Sequence, residues 1–279
     1  MTIVPAGLLY PIDGPLPRRR PYDLLSAVEF VETGTVHSEA GVQVYPFPTD
    51  LPAVHNPCSG GSYGEKDDGT PTEVVEFGGF TAYLPISCTT RGIGSDAAFV
   101  NRARVAFEAK ESYAVELELG RDYAGIGNPH LTQGGISPLS GAAVKPSEAL
   151  ALIENAIAAD TAVQGLIHAD PATITAWSRE FLVFHEQGML VTTNGTRVVA
   201  GAAYVGIHPS DKAAPSATQS WAFATGPVQV LRSEVFVIPD NIKEAVDRTF
   251  NDVVYRAERN YVVDWDSVFL AEVLLDRSL

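Results

Sequence analysis

Apolar and polar side chains alternate strictly in the segment NDVVYRAERNYVVDW near the end of the chain. Arg256, Glu258 and Arg259 stand between Val254, Tyr255, Tyr261 and Val263. A period of two is typical of a β-strand with one buried and one polar face. No tight-turn dipeptide precedes the segment, so its partner strands are expected to lie far away in the sequence.

Between residues 95 and 119 the apolar positions follow a helical period instead. Ser95 and Asp96 can cap the start of this helix. The apolar stripe consists of Phe99, Ala103, Ala106, Tyr113 and Leu117, widened by Val100, Phe107 and Ala114. Charged residues 102, 104, 108, 111 and 118 lie off the stripe, and Lys110 and Glu111 are expected on a solvated or partner-facing surface. The pattern predicts one long amphipathic helix, with a strand at VELEL as the alternative for its end.

The remaining apolar runs are shorter and alternate between strand and helix. TEVVEFGGFTAYLPISC predicts a hairpin around Gly78-Gly79, and GMLVTTNGTRVVAG predicts one with a type I′ turn at Asn194-Gly195. Helices are predicted in PSEALALIENAIAAD, in ATITAWSREFLVFHEQG and around IKEAVDRTF. Strands are predicted in VQGLIHA and in WAFATGPVQVLRSEVFVI.

Composition limits the classes of function. Hydrophobic residues make up 46% and charged residues 19% of the 279 residues, which are globular values. The net charge of −15 argues against a protein that reads nucleic-acid sequence. No apolar run is long enough to span a membrane, and the start of the chain lacks the order of a secretory signal. Cys58 and Cys88 are expected to be reduced thiols, with a disulfide between them as the less favoured alternative.

The first 72 residues are interrupted by prolines and glycines, so no long element is expected there. A segment of this kind usually lies on another surface. Arg18, Arg19 and Arg20 form the only basic cluster of the chain and stand between prolines. We expect this cluster to contact an acidic neighbouring subunit, with a packaged polyanion as the alternative.

Candidate catalytic groups are few. His168 and Asp170 in LIHADP could orient each other, but a histidine at the end of a buried strand is more often a hydrogen-bonded core or loop residue. His185 comes near His168 only if the intervening helix folds back, and no acidic ligand completes a metal motif. The chain has no G-x-G-x-x-G after a strand, no P-loop and no G-x-S-x-G. The acidic pairs Asp67-Asp68 and Asp264/Asp266 are expected to be loop and strand-end charges. The sequence therefore predicts no catalytic, cofactor or metal site, and no enzyme.

The order of elements, together with GTRVVAGAAYVG, WAFATGPVQVLRSEVFVI and NDVVYRAERNYVVDWDSVFLAEV, resembles the major capsid protein of tailed phages, whose fold is shared with encapsulin shells. The resemblance implies an α+β fold with an N-terminal arm, an extended β-hairpin loop, a long spine helix, a peripheral domain sheet and a mixed α/β axial domain. The implied boundaries are the arm at 1–72, the extended loop at 73–94, the spine helix and peripheral domain at 95–140, the axial domain at 141–235 and the return to the peripheral domain at 236–279.

The resemblance also implies a structural role in the virion. The chain would assemble with itself into the hexamers and pentamers of an icosahedral head shell, in the host cytoplasm, around double-stranded DNA held without sequence preference. Portal and scaffolding proteins, and optionally a decoration protein, would be its partners, with no membrane and no cofactor. An encapsulin shell around a cargo enzyme and a soluble α+β enzyme using His168 and Asp170 are the alternatives.

The expected subunit-interface residues are Arg18, Arg19, Arg20, Arg102, Arg104, Glu108 and Arg256. The terminal strand is expected to close its apolar face on Phe99, Ala103 and Phe107.

Overall fold

A computed structural model describes residues 17–32, 41–45, 74–89, 96–160, 164–247, 249, 252–267 and 269–279. The helices are α1 (Leu24–Ala27), α2 (Asp96–Glu108), α3 (Glu111–Arg121), α4 (Pro146–Asp160), α5 (Pro171–Arg179) and α6 (Ile242–Ala245). The strands are β1 (Glu29–Glu32), β2 (Val42–Val44), β3 (Val75–Phe77), β4 (Phe80–Thr89), β5 (Leu166–Ala169), β6 (Val183–Glu186), β7 (Met189–Thr192), β8 (Arg197–Ala200), β9 (Gln219–Thr225), β10 (Val228–Arg232), β11 (Phe236–Ile238), β12 (Val246–Asp247), β13 (Asp252–Trp265) and β14 (Leu270–Asp276).

Strand β13 is the centre of the first sheet, here called sheet I. One edge of β13 pairs antiparallel with β4, and the other edge pairs in turn with β12, β11 and β10. Strand β1 is added to the outside of β10 in parallel. The alternating segment is thus one 14-residue strand whose partners come from distant parts of the chain, as the sequence predicts.

The apolar face of β13 packs under α2. The rings of Phe99 and Tyr255 stack with their centroids 6.3 Å apart. Ala103 and Phe107 are buried in the same core as Tyr255. The predicted contact between the terminal strand and this helix is confirmed, because every second residue of β13 points to the helical side.

The predicted single helix is two helices. The α-helical conformation is interrupted at Ala109 and Lys110, and Lys110 N–H donates to the carbonyl of Phe107, three residues back. Helix α3 then continues through VELEL to Arg121, so the alternative strand is wrong. The break makes Glu111 the first residue of a new helix, and its side chain reaches sheet I.

The predicted hairpin around Gly78-Gly79 is also wrong, because the two strands pair with other partners. Strand β3 pairs with β2, and β4 pairs with β13. The backbone of Gly78 is hydrogen-bonded to the side chain of Asn128 instead. Gly78 N–H donates to the Asn128 side-chain oxygen at 2.7 Å, and the Asn128 amide donates to the Gly78 carbonyl at 3.0 Å. The β2–β3 ladder falls partly inside the stretch that the sequence predicts to be irregular.

The second sheet, sheet II, has the strand order β14-β9-β5-β8-β7-β6. Helix α4 spans the predicted residues, but the helix predicted over 172–188 ends at Arg179 as α5, and FLVFHE turns into β6. The hairpin of β7 and β8 is confirmed, whereas its type I′ turn is wrong. Gly195 is left-handed (φ +86°) and Asn194 is not, although a type I′ turn needs both.

Two hydrophobic cores result. One lies between sheet I, α2, α3 and one face of sheet II, and includes Tyr255, Tyr261 and Phe223. The other lies between the opposite face of sheet II and the helices α4 and α5. The indole N–H of Trp177, buried in this second core, donates to the Pro146 carbonyl at 2.8 Å and so joins α5 to the start of α4.

We expect Gly201→Ala to lower the free energy of unfolding by about 1–3 kcal/mol, because a Cβ at this position would collide with the buried Tyr204 ring. Gly141→Ala is the matched control, since a Cβ there meets nothing within 4 Å. Urea denaturation of both variants measures the difference. Equal stability of the two variants would contradict this packing.

Candidate assembly surfaces

The basic cluster divides into different environments. Arg18 and Arg20 are exposed, whereas the guanidinium of Arg19 donates to both carboxylate oxygens of Asp23 at 2.6 and 2.7 Å. Asp23 also caps α1 by accepting from the backbone N–H of Ser26. Arg19 is therefore bonded within its own subunit, whereas Arg18 and Arg20 make no ion pair with any residue that the structure describes.

Two of the predicted interface residues lie on the outer side of α2 beside a cleft. Arg104 and Glu108 line a cleft of about 520 Å³ together with Arg232 and Arg259. Arg102 is exposed on the same helix but does not line this cleft. The structure thus brings Arg104 and Glu108 together and leaves Arg18, Arg20, Arg102 and Arg256 at other places.

Glu111 lies in the core, so its predicted surface position is wrong. Its carboxylate accepts from Arg259 Nη1 at 2.6 Å and from the Tyr261 hydroxyl at 2.6 Å, with Arg232 Nη1 at 3.5 Å. Burial and the neighbouring carboxylate of Glu111 raise the pKa of Tyr261, so this hydroxyl keeps its proton to donate. The cluster joins the first turn of α3 to sheet I.

Two further glutamates of α3 are buried and bonded. Glu116 accepts from the backbone N–H groups of Leu24 and Ala203, both at 3.1 Å. Glu118, also predicted to be off the buried side, accepts from Ala124 N–H at 2.8 Å and from the Asn128 amide at 3.3 Å. Burial raises the pKa of Glu116 and of Glu118, which the backbone donors partly offset. Helix α3 therefore connects sheet I, α1 and the segment after β8.

Among the described residues, little covers the side of sheet I that faces away from α2. Arg256 and Glu258 form an ion pair at 2.7 Å there, and apolar side chains surround the pair. Glu258 lies opposite Tyr83 and Phe236, and Arg256 lies opposite Pro85 and Ile238. Among the exposed large apolar residues of this face are Tyr83 (65% exposed), Phe236, Ile238 and Val254. We call these four residues with Arg256 and Glu258 the open face; an apolar patch of this kind marks an interaction surface.

Strand β1 is the outer edge of sheet I. All four of its residues are exposed, including Phe30 and Val31, and Arg232 lies 4.3 Å over the Phe30 ring. An unpaired strand edge with apolar side chains is a place where another chain can add.

His168 lies in the hydrophobic interior of the described part of the chain. The side chain of His168 is fully buried, with Nδ1 3.1 Å from the Tyr204 hydroxyl and Nε2 3.0 Å from Thr225 Oγ1. Burial lowers the pKa of His168 to about 3, so the ring is neutral. Asp170 instead caps α5 by accepting from Thr173 N–H at 2.7 Å, and accepts from the Ser220 hydroxyl. Both ring nitrogens of His168 are occupied, so the favoured interpretation of a hydrogen-bonded core histidine is confirmed and the alternative pairing with Asp170 is wrong.

The remaining candidate residues lie apart from one another in the fold. The ring of His185 contacts Tyr22 at the exposed side of sheet II, with centroids 4.8 Å apart. Asp264 is the penultimate residue of β13 and Asp266 follows the strand directly, so both lie at the strand end as expected, and Asp264 is buried there. Asp67, Asp68 and Cys58 lie outside the described residues, so the reduced state of Cys58 and Cys88 stays a prediction, with the disulfide as its alternative. Among the described residues, no cluster of three or more His, Cys, Asp and Glu side chains could hold a metal ion.

Glu272 is the most enclosed carboxyl group of sheet II. Its residue is 0% exposed on β14, opposite Phe223, and neither carboxyl oxygen has a hydrogen-bond partner within the described part of the chain. Burial raises the pKa of Glu272 to about 7, with Lys212 acting in the opposite direction and Asp211 adding to the rise. The folded protein therefore favours the protonated acid.

The stability of the fold should consequently fall as Glu272 ionises. The folded-state pKa lies above the unfolded value, so the unfavourable contribution begins above about pH 4.5 and is complete above about pH 7, where it amounts to about 1–3 kcal/mol. We expect Glu272→Gln to be more stable than the native chain at about pH 8 and to lose that advantage at about pH 4.5. Thermal unfolding at both pH values checks this. A constant difference between the two chains at both pH values would contradict it.

The Glu111 cluster generates a second prediction. Glu111→Gln leaves Arg259 buried without its anion, so we expect a loss of about 3–5 kcal/mol in the free energy of unfolding. Glu108→Gln, an exposed position on α2, should change it by about 0.5 kcal/mol or less. Urea denaturation of the two variants makes the comparison, and a similar loss in both would show that the cluster contributes no special stability.

No helix in the described part of the chain has the length and apolar content that a membrane crossing requires. No protein-family model matches the chain, and no curated protein sequence is significantly similar to it. Solved structures are similar in fold. The capsid of a native GTA particle has a TM-score of 0.58 at 12% identity, over 95% of this chain and 100% of that one. The holo-SrpI encapsulin of Synechococcus elongatus PCC 7942 has a TM-score of 0.52 at 13% identity, over 96% of this chain and 92% of that one.

A structure from Microbacterium phage Oxtober96 has a TM-score of 0.53 at 10% identity, over 96% of this chain and 94% of that one. The likeness therefore extends over nearly the whole length of both chains in each comparison, while the sequences have diverged almost completely. The α+β architecture predicted from the order of elements is confirmed. This chain has the fold that phage capsids and encapsulin shells share.

Proposed function

We propose that this chain is a structural shell protein that assembles with copies of itself into a closed icosahedral particle, and that the particle is the head shell of a tailed phage enclosing DNA. The observation that carries the proposal is the open face. Monomeric proteins rarely expose a contiguous apolar patch such as the one that Tyr83, Phe236 and Ile238 form on sheet I. The fold likeness to shell-forming proteins supports the same conclusion.

The parts of the fold take roles in this proposal. Helices α2 and α3 together form the spine, sheet I the peripheral domain and sheet II the axial domain. The β2–β3 ladder, with residues 46–73 between its strands, is the base of the extended loop, in place of a hairpin at 73–94. A shell of identical subunits closes through repeated contacts of this kind, each modest by itself.

Portal and scaffolding proteins, and a decoration protein, are the partners that a phage head would add. An encapsulin-type compartment is the second candidate, and it is favoured by the likeness to the encapsulin of Synechococcus elongatus. The contents of purified particles separate the two candidates: double-stranded DNA supports the phage head, and a single co-purifying enzyme supports the compartment. A soluble enzyme has little support, because His168 is fully buried with both ring nitrogens occupied.

Expression of the full chain alone and with its neighbouring genes, followed by negative-stain microscopy, tests the proposal. We expect closed particles of uniform diameter. Tyr83→Ser/Phe236→Ser should reduce the particle yield by about tenfold or more while leaving the thermal stability of the unassembled subunit nearly unchanged, because both side chains are exposed on the open face.

Tyr123→Ser is the control, since Tyr123 is an exposed aromatic residue in the segment after α3 and outside sheet I. Val263 makes a poor test position, because it is 3% exposed and a charge there would unfold the subunit itself. An unassembled chain under every condition, with or without its neighbouring gene products, would refute the shell function. Normal yield from the Tyr83/Phe236 variant would remove the open face from the interface.

A further inference from the structure

Two segments of the chain, residues 131–139 and 207–212, cover the Glu272 side chain of β14; together we call them the cover. The Glu272 side chain lies on the same face of sheet II as Phe223, the residue opposite it on β9. Leu139 N–H donates to the Glu272 backbone carbonyl at 2.8 Å, so the first segment runs along the edge of β14. The cover also contributes buried apolar side chains to the core that contains Phe223: Leu131 and Ile207.

Few polar contacts join the two segments of the cover to each other. Ser210 N–H donates to the Thr132 carbonyl at 2.9 Å. Gly135 N–H donates to the Asp211 carboxylate at 3.4 Å. Asp211 is exposed and accepts at the same oxygen from the ammonium group of Lys212, at 2.7 Å. The Asp211 carboxylate is therefore shared between the other segment and Lys212.

An ionised Glu272 would be a buried anion beside a cation that is already bound elsewhere. Neither carboxyl oxygen of Glu272 has a hydrogen-bond partner among the described residues, and the residue has no exposed surface. Lys212 lowers the pKa of Glu272 and Asp211 raises it, against a larger rise from burial. Since an unpaired buried carboxylate is costly, loss of the Glu272 proton favours any rearrangement that brings Lys212 to it.

Other ionisable groups around Glu272 are few. Strand β9 and residues 131–139 contain no ionisable side chain, and the second segment of the cover adds only His208. On the same sheet face, His168 lies beyond Phe223, and burial keeps this ring neutral by lowering its pKa to about 3. Lys212, Asp211 and His208 are therefore the groups of the cover to be separated by experiment.

We propose that Glu272, Lys212 and Asp211 form a pH-sensitive switch, in which ionised Glu272 takes Lys212 from Asp211 and the cover loosens. Below the transition, Glu272 keeps its proton under a closed cover, and Lys212 stays at the surface with Asp211. Above it, the proton passes to solvent, Lys212 pairs with the Glu272 carboxylate, and the contacts between the two segments weaken. The switch belongs to the single subunit and does not rest on self-assembly.

Hydrogen exchange of the full chain, resolved to single amides, tests the loosening. After correction for the intrinsic effect of pH, the Ser210 and Leu139 amides should exchange about tenfold faster at pH 8 than at pH 6, because the closed cover favours the protonated acid. Glu272→Gln, which folds without a charge to bury, should remove this difference. Glu148→Gln, at an exposed position of α4, is the matched control and should keep it.

Two substitutions test the exchange of partners. Lys212→Met keeps most of the side-chain stem but removes the cation, so the midpoint of the pH response should rise by about 0.5 pH unit or more. Asp211→Asn keeps an acceptor for Gly135 N–H and releases Lys212, so the midpoint should fall by about as much. His208→Gln should leave the midpoint unchanged, which excludes this histidine as the titrating group. A purely structural role would not move the midpoint in opposite directions.

Several results would overturn the switch. These are native cover amides that do not respond to pH, a response that survives in Glu272→Gln, and midpoints that Lys212→Met and Asp211→Asn leave unmoved or shift in the same direction. Loss of the response in His208→Gln would do the same. Equal protection of the cover amides and of the β5 amides at pH 8 would show that only global unfolding responds, and would also overturn it. The formation of particles is a separate result, since it decides the shell function and not the switch.

Discussion

The buried carboxylates of α3 are the interactions on which the arrangement of the described chain depends. A carboxylate in the core is costly unless donors surround it, and each of these three takes its donors from a different element. Glu111 is bonded to β13 through Arg259 and Tyr261. Glu116 is bonded to α1 and to the segment after β8, and Glu118 to the loop that also fixes Gly78. Apolar packing alone tolerates sliding of one layer on another, whereas these bonds are satisfied in only one placement of the two sheets.

A fixed placement matters for a protein that builds a closed shell. Each contact between subunits repeats many times, so a small error in the angle between the parts of one subunit would accumulate around the particle. Polar bonds inside the subunit fix that angle, and in the proposed shell the open face and β1 would be left for contacts with neighbours. The arginines differ in what they contact. Arg19, Arg232 and Arg259 bind carboxylates of their own subunit, whereas Arg18 and Arg20 are exposed and bind none among the described residues.

The sequence predicts those elements whose pattern is local. The alternation around Tyr255 defines β13, and the caps and apolar spacing define α4 with its observed bounds. It fails where a distant side chain decides. In the first case, the Asn128 side chain hydrogen-bonds to the backbone of Gly78, where the sequence predicts a hairpin turn. In the second case, Glu111 is buried because it pairs with Arg259, although the apolar stripe leaves its position outside. The sequence carries only a partial signal for the second case: Glu111 and Glu118 are seven residues apart, which places both on one side of the helix.

The acidic composition of the chain constrains how copies of it can associate. Copies of a chain with a net charge of −15 repel one another, and this repulsion must be overcome by apolar contact and by locally placed cations. The arginines beside Glu111 are committed within the subunit, and Arg256 is paired with Glu258, so these cations have little attraction left for a neighbour. In the proposed shell, the acidic surface would disfavour random association of copies and would permit association only where apolar contact or a placed cation offsets the repulsion.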